Sequence, residues 1–118
     1  MPGSNELVFN GLILPDQSSP RITTPEPGLR RQILANTSAM MLVRHDMCRG
    51  WRGVAHRHHH EQLVYVISGS IQVDVNGTVF DAAAGDNFII ASNVEHQASA
   101  LEDSVVLDVF TPAREEYL

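Results

Sequence analysis

The stretch from Gly50 to Gly69, reading GWRGVAHRHHHEQLVYVISG, constrains the fold of this chain more than any other. Four of the six histidines fall within a span of five residues, at positions 56, 58, 59 and 60, directly before an apolar run typical of a strand. Alternate residues of an extended chain share a face, so His56 and His58 would point the same way, about 7 Å apart. Neutral imidazole nitrogens are the commonest ligands of transition metals. The pattern favours a metal site over a solvated loop or a purification tag, which normally lies at a terminus.

Composition restricts the classes of function. At 118 residues the chain makes one domain, without room for a second core. The net charge of −6 argues against nucleic acid, whose phosphates need a basic surface. The single cysteine, Cys48, cannot form an internal disulfide, and the sequence has no signal-peptide pattern and no long apolar span. We therefore expect a cytoplasmic protein that binds neither nucleic acid nor membrane.

The first 27 residues contain five of the six prolines. Because proline removes a backbone donor and breaks helices, we expect residues 1–28 to form an N-terminal proline-rich arm and residues 29–118 to form the barrel domain. Within the arm, Leu7 to Leu14 (LVFNGLIL) is apolar enough to pair as a strand. Two placements of the arm stay open: packed on or exchanged with a partner subunit, or folded on its own domain.

From Leu29 onward, short apolar segments alternate with turn residues. The pair Asn76-Gly77 between two alternating runs is a strong signal for a two-residue hairpin, because both residues tolerate positive φ. No window shows a long 3.6-residue period with helix caps. Several short strands at regular spacing therefore predict an all-β sandwich or barrel. The candidate strands are Arg31–Leu34, Ala39–Met47, Leu63–Ser68, Ser70–Val75, Thr78–Asp81, Asn87–Ile90, Glu95–Ala100 and Ser104–Phe110.

The segment from Ser104 to Phe110, reading SVVLDVF, carries an acidic residue inside an apolar strand. By alternation Val106, Asp108 and Phe110 share one face. Burying an unpaired carboxylate is costly, so Asp108 must face solvent, be paired, or face a functional cavity. Strand statistics alone leave the exposed sheet face as an equal alternative.

The spacing of glycines, histidines and a glutamine resembles the two motifs of the cupin family. In the second motif, Gly85 precedes His96, with Ala91 where proline is usual and Asn93 where glycine is usual. The resemblance covers residues 40–110 and implies a cupin double-stranded β-helix, a jelly-roll barrel. The first motif is matched by Gly50, His56, His58, Gln62 and Gly69, although glutamate is most often found at the position of Gln62.

The cupin resemblance implies one divalent transition metal ion, either zinc, nickel, manganese or iron. Glu61 is a competing fourth ligand to Gln62, but a shift of one residue on an extended chain reverses the side-chain face. Three imidazoles and an amide carry no charge, which favours Lewis-acid chemistry over oxygen activation. His59 and His60 would flank the site. His60 at the site entrance would either touch substrate or, as we expect, be solvent-exposed. The implied ligands are His56, His58, Gln62 and His96.

The C-terminal sequence LDVFTPAREEYL, together with HEQLVYVISGS and NVEHQASALEDS, resembles the KdgF type of cupin. That resemblance implies an enzyme of pectin and alginate breakdown, which converts a cyclic unsaturated uronate to its linear keto form. It also implies a homodimer and a pocket lined by Asp108, Phe110 and Arg114. Arg114 would hold the substrate carboxylate, Asp108 would move protons, and Phe110 would shape the wall.

Two other functions stay open because a fold hosts many activities and only its site decides among them. One is a different metal-dependent cupin enzyme, either a dioxygenase or a cyclase of polyketide chains. The other is a non-catalytic cupin that binds a small molecule.

Overall fold

The chain folds almost entirely into β-strands. The structure is a computed structural model that describes residues 6–15 and 21–118. Within these ranges one 3-10 turn, η1 (Glu115–Tyr117), follows the last strand, and no helix has the length and apolar character needed to span a membrane. The strands are β1 (Glu6–Phe9), β2 (Leu12–Pro15), β3 (Arg21–Glu26), β4 (Leu29–Asn36), β5 (Met41–Met47), β6 (Glu61–Ser68), β7 (Ser70–Val75), β8 (Thr78–Ala83), β9 (Asn87–Ile90), β10 (His96–Ala100) and β11 (Ser104–Thr111).

Two antiparallel sheets enclose the core. Six strands form the larger sheet in the order β3-β4-β5-β11-β6-β9, and three form the smaller sheet in the order β10-β7-β8. Strand β11 lies between β5 and β6, so neighbours in space are distant in sequence, as in a jelly roll. The expectation of an all-β sandwich or barrel is confirmed. All eight strands predicted between residues 31 and 110 are present, with differences only at their ends.

Side chains that alternate along the strands fill the space between the sheets. On β11 every second residue from Ser104 to Phe110 is buried, and the residues between them are half-buried. Val43 and Val66 are fully enclosed, and burial of each such side chain stabilises the fold by about 1.5–3 kcal/mol. Because the inward face of β11 also carries Asp108, the alternation that builds the core turns this carboxylate into the interior.

Asn-Gly pairs form two hairpins. Strands β7 and β8 pair around Asn76 and Gly77, which have φ values of 50° and 88°, and this predicted hairpin is confirmed. Asn10 and Gly11 join β1 to β2 in the same way, with φ values of 47° and 85°. The prediction of a single strand over Leu7–Leu14 is therefore wrong. The segment reverses in its middle, because this dipeptide supplies the two positive φ angles of a tight hairpin turn.

Strand β3 was missed in the sequence because it contains Pro25. It lies at the edge of the larger sheet, where a missing N–H is tolerated, and its register with β4 shifts around the proline. Residues 21–26 thus contribute a strand to the sheet although they fall in the segment predicted as an arm. The boundary at residue 28 and the packing of the arm on a partner subunit stay predictions. Residues 1–5 and 16–20 of that arm lie outside the described residues.

The turn between β6 and β7 depends on close approach to β11. A Cβ at Gly69, which has a φ of 85°, would overlap the carbonyl oxygen of Asp103 and the hydroxyl of Ser104, whereas a Cβ at Gly77 would meet no atom within 4 Å. Gly69→Ala and Gly77→Ala share a left-handed strain of roughly 1–2 kcal/mol. Only Gly69→Ala adds a clash, so we expect its free energy of unfolding to fall by ~2 kcal/mol more. Urea denaturation measures both, and equal losses would contradict the tight contact.

Candidate metal centre and its surroundings

A short irregular segment holds the first histidine of the cluster against strand β10. Residues 50–56 run antiparallel to β10 and share backbone hydrogen bonds with it. The His56 amide donates to the His96 carbonyl oxygen at 3.0 Å, and the His96 amide donates to the His56 carbonyl oxygen at 2.9 Å. Side chains of directly paired residues emerge on the same side of an antiparallel pair. The backbone therefore brings together two histidines that are far apart in the sequence.

The loop between β9 and β10 positions the second histidine. The Asn93 amide donates to the His58 carbonyl oxygen at 2.8 Å, and the Ser92 hydroxyl donates to the His59 carbonyl oxygen at 2.6 Å. Asn93 has a φ of 62°, a left-handed conformation that asparagine tolerates better than most residues. This explains the departure from the usual motif, because asparagine meets the same backbone requirement as the glycine it replaces.

Each of the three histidines is oriented by its own backbone neighbourhood. In His56, His58 and His96, the Nδ1 atom lies within hydrogen-bond distance of a carbonyl oxygen two residues away. Because a carbonyl only accepts, each Nδ1 carries the hydrogen and each Nε2 keeps its lone pair. The acceptors are the carbonyl oxygens of Val54, His60 and Val94, at 2.9, 3.0 and 2.9 Å.

The three rings converge on one point. One ring nitrogen from each of His56, His58 and His96 lies within 4.8 Å of the other two. The Nε2 atoms of His58 and His96 are buried and have no hydrogen-bond partner among the described residues. Buried unpaired acceptors are costly, and a bound cation would satisfy them. The donor set therefore fits a divalent metal ion held by imidazoles.

Burial keeps the imidazoles of His58 and His96 neutral. Burial, reinforced by the charge of Arg114, lowers the pKa of His58 to about 4. Burial also lowers the pKa of His96, although the hydrogen bond to the Val94 carbonyl opposes the shift. Metal ligands must be deprotonated, so low pKa values leave both rings available at neutral pH.

Gln62 lines the same cavity as His56 and His96, whereas Glu61, the alternative fourth ligand, is exposed. The Nε2 atom of Gln62 donates to Asp108 Oδ1 at 2.8 Å. Its Oε1 atom is buried and has no hydrogen-bond partner among the described residues. An unpaired amide oxygen is a hard acceptor that can complete the coordination of a divalent ion.

Asp108 is buried, as the alternation on β11 allows, and only 3% of its surface is exposed. Besides Gln62, it contacts His45, whose Nδ1 lies 2.7 Å from Asp108 Oδ2. His45 was missed in the sequence, although Arg31 Nε donates to its Nε2 at 3.0 Å and both line the cavity. The signal was present, because His45 shares the inward face of β5 with Val43, just as Asp108 interrupts an apolar face on β11.

The C-terminal turn brings Arg114 over the cavity. Its Nε donates to Glu116 Oε1 and its Nη1 donates to the Tyr117 hydroxyl, both at 2.7 Å. The guanidinium lies 5.1 Å from the ring centre of Phe110 and 4.3 Å from that of Tyr117, and the guanidinium of Arg31 lies 3.7 Å from the Tyr117 ring. Burial raises the pKa of the Tyr117 hydroxyl. Tyr117 thus packs between Arg31 and Arg114. No sequence pattern marked it as part of the site.

One expectation about the flanking histidines is wrong. His59 is exposed, but His60 is buried, with only 5% of its surface exposed. Its ring lies 4.0 Å from that of His59 and 6.4 Å from that of Phe110. Burial, reinforced by the charge of His59, lowers its pKa. His60 therefore packs behind the cluster and does not project into solvent.

The cavity lined by His56, His96, Gln62, Asp108 and Arg114 has a volume of about 320 Å³. Its lining is polar near His56, His96 and Asp108, and apolar where it extends between the sheets. This volume lies at the lower end of the range for small-molecule sites. The cavity therefore borders the three-histidine cluster and also contains groups able to bind anions and move protons.

Comparison with known proteins agrees with this geometry. The family model described as the cupin domain matches residues 44–110. The chain belongs to the cupin family, and the jelly-roll cupin fold inferred from the two motifs is confirmed.

Similar proteins indicate which type of cupin this chain is. The chain is 32% identical to the pectin degradation protein KdgF of Dickeya dadantii (strain 3937) over 93 residues, which are 77% of this chain and 84% of the relative. The structure of KdgF from Halomonas sp. matches with a TM-score of 0.79 at 37% identity, covering 82% of this chain and 90% of that one. The structure of an RmlC-like cupin from Shewanella frigidimarina NCIMB 400 matches with a TM-score of 0.84 at 29% identity. The match covers 97% of this chain and 99% of that one. The chain is thus a KdgF-like cupin.

Ion binding should depend on His58 and not on its neighbour His59. His58→Ala removes one of the three clustered nitrogens, whereas His59→Ala removes an exposed ring. We expect Co²⁺ affinity, measured by calorimetric titration, to fall on the order of 100-fold, or ~3 kcal/mol, in His58→Ala. His59→Ala should match the native protein, and equal losses in the two variants would place the ion elsewhere.

Proposed function

We propose that this protein is a metal-dependent enzyme that converts a cyclic unsaturated uronate to its linear keto form. The observation that carries the proposal is the arrangement of buried, unpaired ligand atoms beside a paired carboxylate. The Nε2 atoms of His58 and His96 and the Oε1 atom of Gln62 find no partner among the described residues, and Asp108 lies next to Gln62. The similarity to KdgF proteins, one of them named for pectin degradation, supports a sugar acid as the substrate.

Four neutral donors would hold the ion, which could be zinc, nickel, manganese or iron. The proposed ligands are His56, His58, Gln62 and His96. When bound, the ion would supply Lewis-acid polarisation of substrate oxygen atoms. Since no ligand is anionic, the site keeps the full positive charge of the ion, which favours binding of an anionic sugar.

Asp108 is the proposed proton carrier. The reaction is an isomerisation: the anomeric hydroxyl loses a proton, the bond from that carbon to the ring oxygen breaks, and an aldehyde and an enolate form. A proton then adds to the double-bond carbon that does not carry the enolate oxygen. This gives the ketone, so no atom is gained or lost. Each oxygen of Asp108 has one contact, to Gln62 or to His45, and keeps a lone pair that can take the first proton.

Arg114 is the proposed binding group for the substrate carboxylate. Its side chain is only 13% exposed and stacks on Phe110, so the guanidinium is held in place at the cavity. Guanidinium groups bind carboxylates by two parallel hydrogen bonds. In the structure the Glu116 carboxylate occupies Nε of this guanidinium. A substrate carboxylate that uses Nε for one of these two bonds therefore competes with Glu116 for that donor.

We also propose a cytoplasmic homodimer, with the N-terminal arm at or near the contact between subunits. This part of the proposal rests on the resemblance to KdgF-type cupins. Size-exclusion chromatography with light scattering measures the mass in solution, and a monomer at micromolar concentration would remove it.

The direct test is turnover of unsaturated uronate prepared with a pectate or alginate lyase. Loss of ultraviolet absorbance reports the disappearance of the conjugated enol ether, and proton NMR identifies the open-chain keto product. We expect metal-loaded protein to accelerate the conversion, and chelation of the ion to abolish the acceleration. Conversion no faster than in buffer would remove the proposal, and oxygen consumption with ferrous ion would favour a dioxygenase instead.

Replacing the proton carrier should remove turnover even when excess metal saturates the site. We expect Asp108→Asn to lower kcat by about 10²–10⁴-fold, the usual contribution of a positioned acid or base. Metal content by mass spectrometry and circular dichroism would show that the fold and the ion are retained. Asp81→Asn, which changes an exposed aspartate on β8, serves as the matched control and should keep native kcat. A fully active Asp108→Asn would assign proton transfer to another group.

Removing the charge of Glu116, the carboxylate partner of Arg114, should improve substrate binding. Burial raises the pKa of Glu116, but the hydrogen bond and charge of Arg114 outweigh this and hold it below its ordinary value. Glu116 therefore competes as a carboxylate at neutral pH. We expect Glu116→Gln to lower KM about two- to fivefold with kcat unchanged, the range expected when a partly exposed ion pair is lost. Glu115→Gln, at an exposed neighbouring position, is the control, and a raised KM in Glu116→Gln would contradict competition.

A further inference from the structure

A line of hydrogen bonds connects strand β4 to the amide of Gln62. Arg31 Nε donates to His45 Nε2 at 3.0 Å, His45 Nδ1 lies 2.7 Å from Asp108 Oδ2, and Gln62 Nε2 donates to Asp108 Oδ1 at 2.8 Å. We propose that Arg31 and His45 are positioning residues for the ligand amide, and that Gln62 and Asp108 form a matched amide–carboxylate pair. The inference rests on the proposed metal site and adds two residues that the cupin motifs do not contain.

Arg31 sets the tautomer of His45. A guanidinium has donors only, so the His45 Nε2 that it contacts must be an acceptor. In the neutral ring the hydrogen then lies on Nδ1, which donates it to Asp108. The opposite tautomer would set two donors against each other at Arg31 and two acceptors against each other at Asp108. Since 8% of His45 and 3% of Asp108 are exposed, water has little access to relieve either conflict.

Asp108 sets the orientation of the Gln62 amide. An amide can rotate by half a turn and exchange its oxygen and nitrogen, and only the oxygen can bind a cation. The Asp108 carboxylate accepts hydrogen bonds and does not donate them, so it selects the orientation with Nε2 towards itself. The Oε1 atom is then left buried and unpaired within the described structure, as a metal ligand should be.

The same contact explains why residue 62 is glutamine where cupins usually have glutamate. A carboxylate at this position would lie about as far from Asp108 Oδ1 as Nε2 does now, 2.8 Å. Two like charges at that distance oppose each other strongly. The chain therefore combines a neutral ligand with a neighbouring carboxylate, so that the negative charge belongs to the proton carrier and not to the ligand.

Double variants separate tautomer control from packing. His45→Asn keeps an N–H group near the position of Nδ1, but an amide has no tautomer for Arg31 to select. We expect Arg31→Ala to weaken Co²⁺ binding roughly 10–100-fold and to alter the visible spectrum of bound Co²⁺, as loss of an outer hydrogen bond to a metal site does. In the His45→Asn background, the same change should cost less than about twofold relative to His45→Asn alone.

Arg30→Ala is the matched control, because Arg30 is exposed on the other face of β4. It should leave Co²⁺ affinity and spectrum as in the native protein. Arg31 also stacks on Tyr117, and loss of that packing would weaken both backgrounds equally. Equal losses in the two backgrounds, or no loss in Arg31→Ala, would overturn the role of Arg31.

Exchanging the charge between positions 62 and 108 tests the matched pair. Gln62→Glu alone should weaken Co²⁺ binding by about tenfold, because two carboxylates then face each other. Adding Asp108→Asn should restore native affinity or better, since the new amide can donate to Glu at position 62 and accept from His45. Unchanged binding in Gln62→Glu, or no recovery in the double variant, would overturn the pair.

The native protein distinguishes this inference from the proposed function. If the native protein binds no Co²⁺, the metal site itself fails and the inference fails with it. If the native protein binds Co²⁺ and the Arg31 and Gln62 variants behave like it, only the inference is lost. If Co²⁺ binds as expected but uronate is not converted, the positioning roles stand and the substrate is wrong.

Discussion

The two backbone hydrogen bonds between His56 and His96 are the contact on which the site depends. They are the last hydrogen bonds in the pairing of residues 50–56 with β10. This pairing attaches an irregular segment to a regular sheet. Together with the hydrogen bonds from Asn93 and Ser92 to the carbonyl oxygens of His58 and His59, this pairing fixes the two parts of the chain that contribute the imidazoles. The rest of the cavity is built on the facing sheet, where β5, β6 and β11 present His45, Gln62 and Asp108 on their inward faces. The site therefore lies where the two sheets of the jelly roll meet.

Most of the fold could be predicted from the sequence because the strands follow simple physical rules. Alternation on β11 put Asp108 on one face with Val106 and Phe110, and Asn76-Gly77 marked a hairpin. The two errors have different origins. Pro25 hid an edge strand, and a second Asn-Gly pair lay inside a run that looked like one strand, because apolar character weighed more than turn chemistry. Edge strands tolerate proline, and positive φ at two successive residues ends a strand whatever its composition.

The candidate site was predicted as far as spacing and motif reach. His56, His58 and His96 converge, and Gln62 lies beside Asp108. His45 was missed because only clustered histidines drew attention, although a polar residue on the inward face of an apolar strand is the clue that identified Asp108. The contacts of Tyr117 with the arginines could not be predicted, because no periodicity specifies how a short turn after a strand folds back over a cavity. Packing of that kind depends on tertiary contacts alone.

The hydrogen bonds that hold the three imidazole rings have a consequence for how the pocket would bind an ion. Each carbonyl that holds a ring lies two residues from that ring in the chain, as Val94 does from His96. The rotational freedom of each ring is thus lost when the polypeptide folds and not when the cation arrives. An empty pocket already presents its lone pairs inward, so association needs little rearrangement, and its entropic penalty falls chiefly on releasing water from the incoming cation.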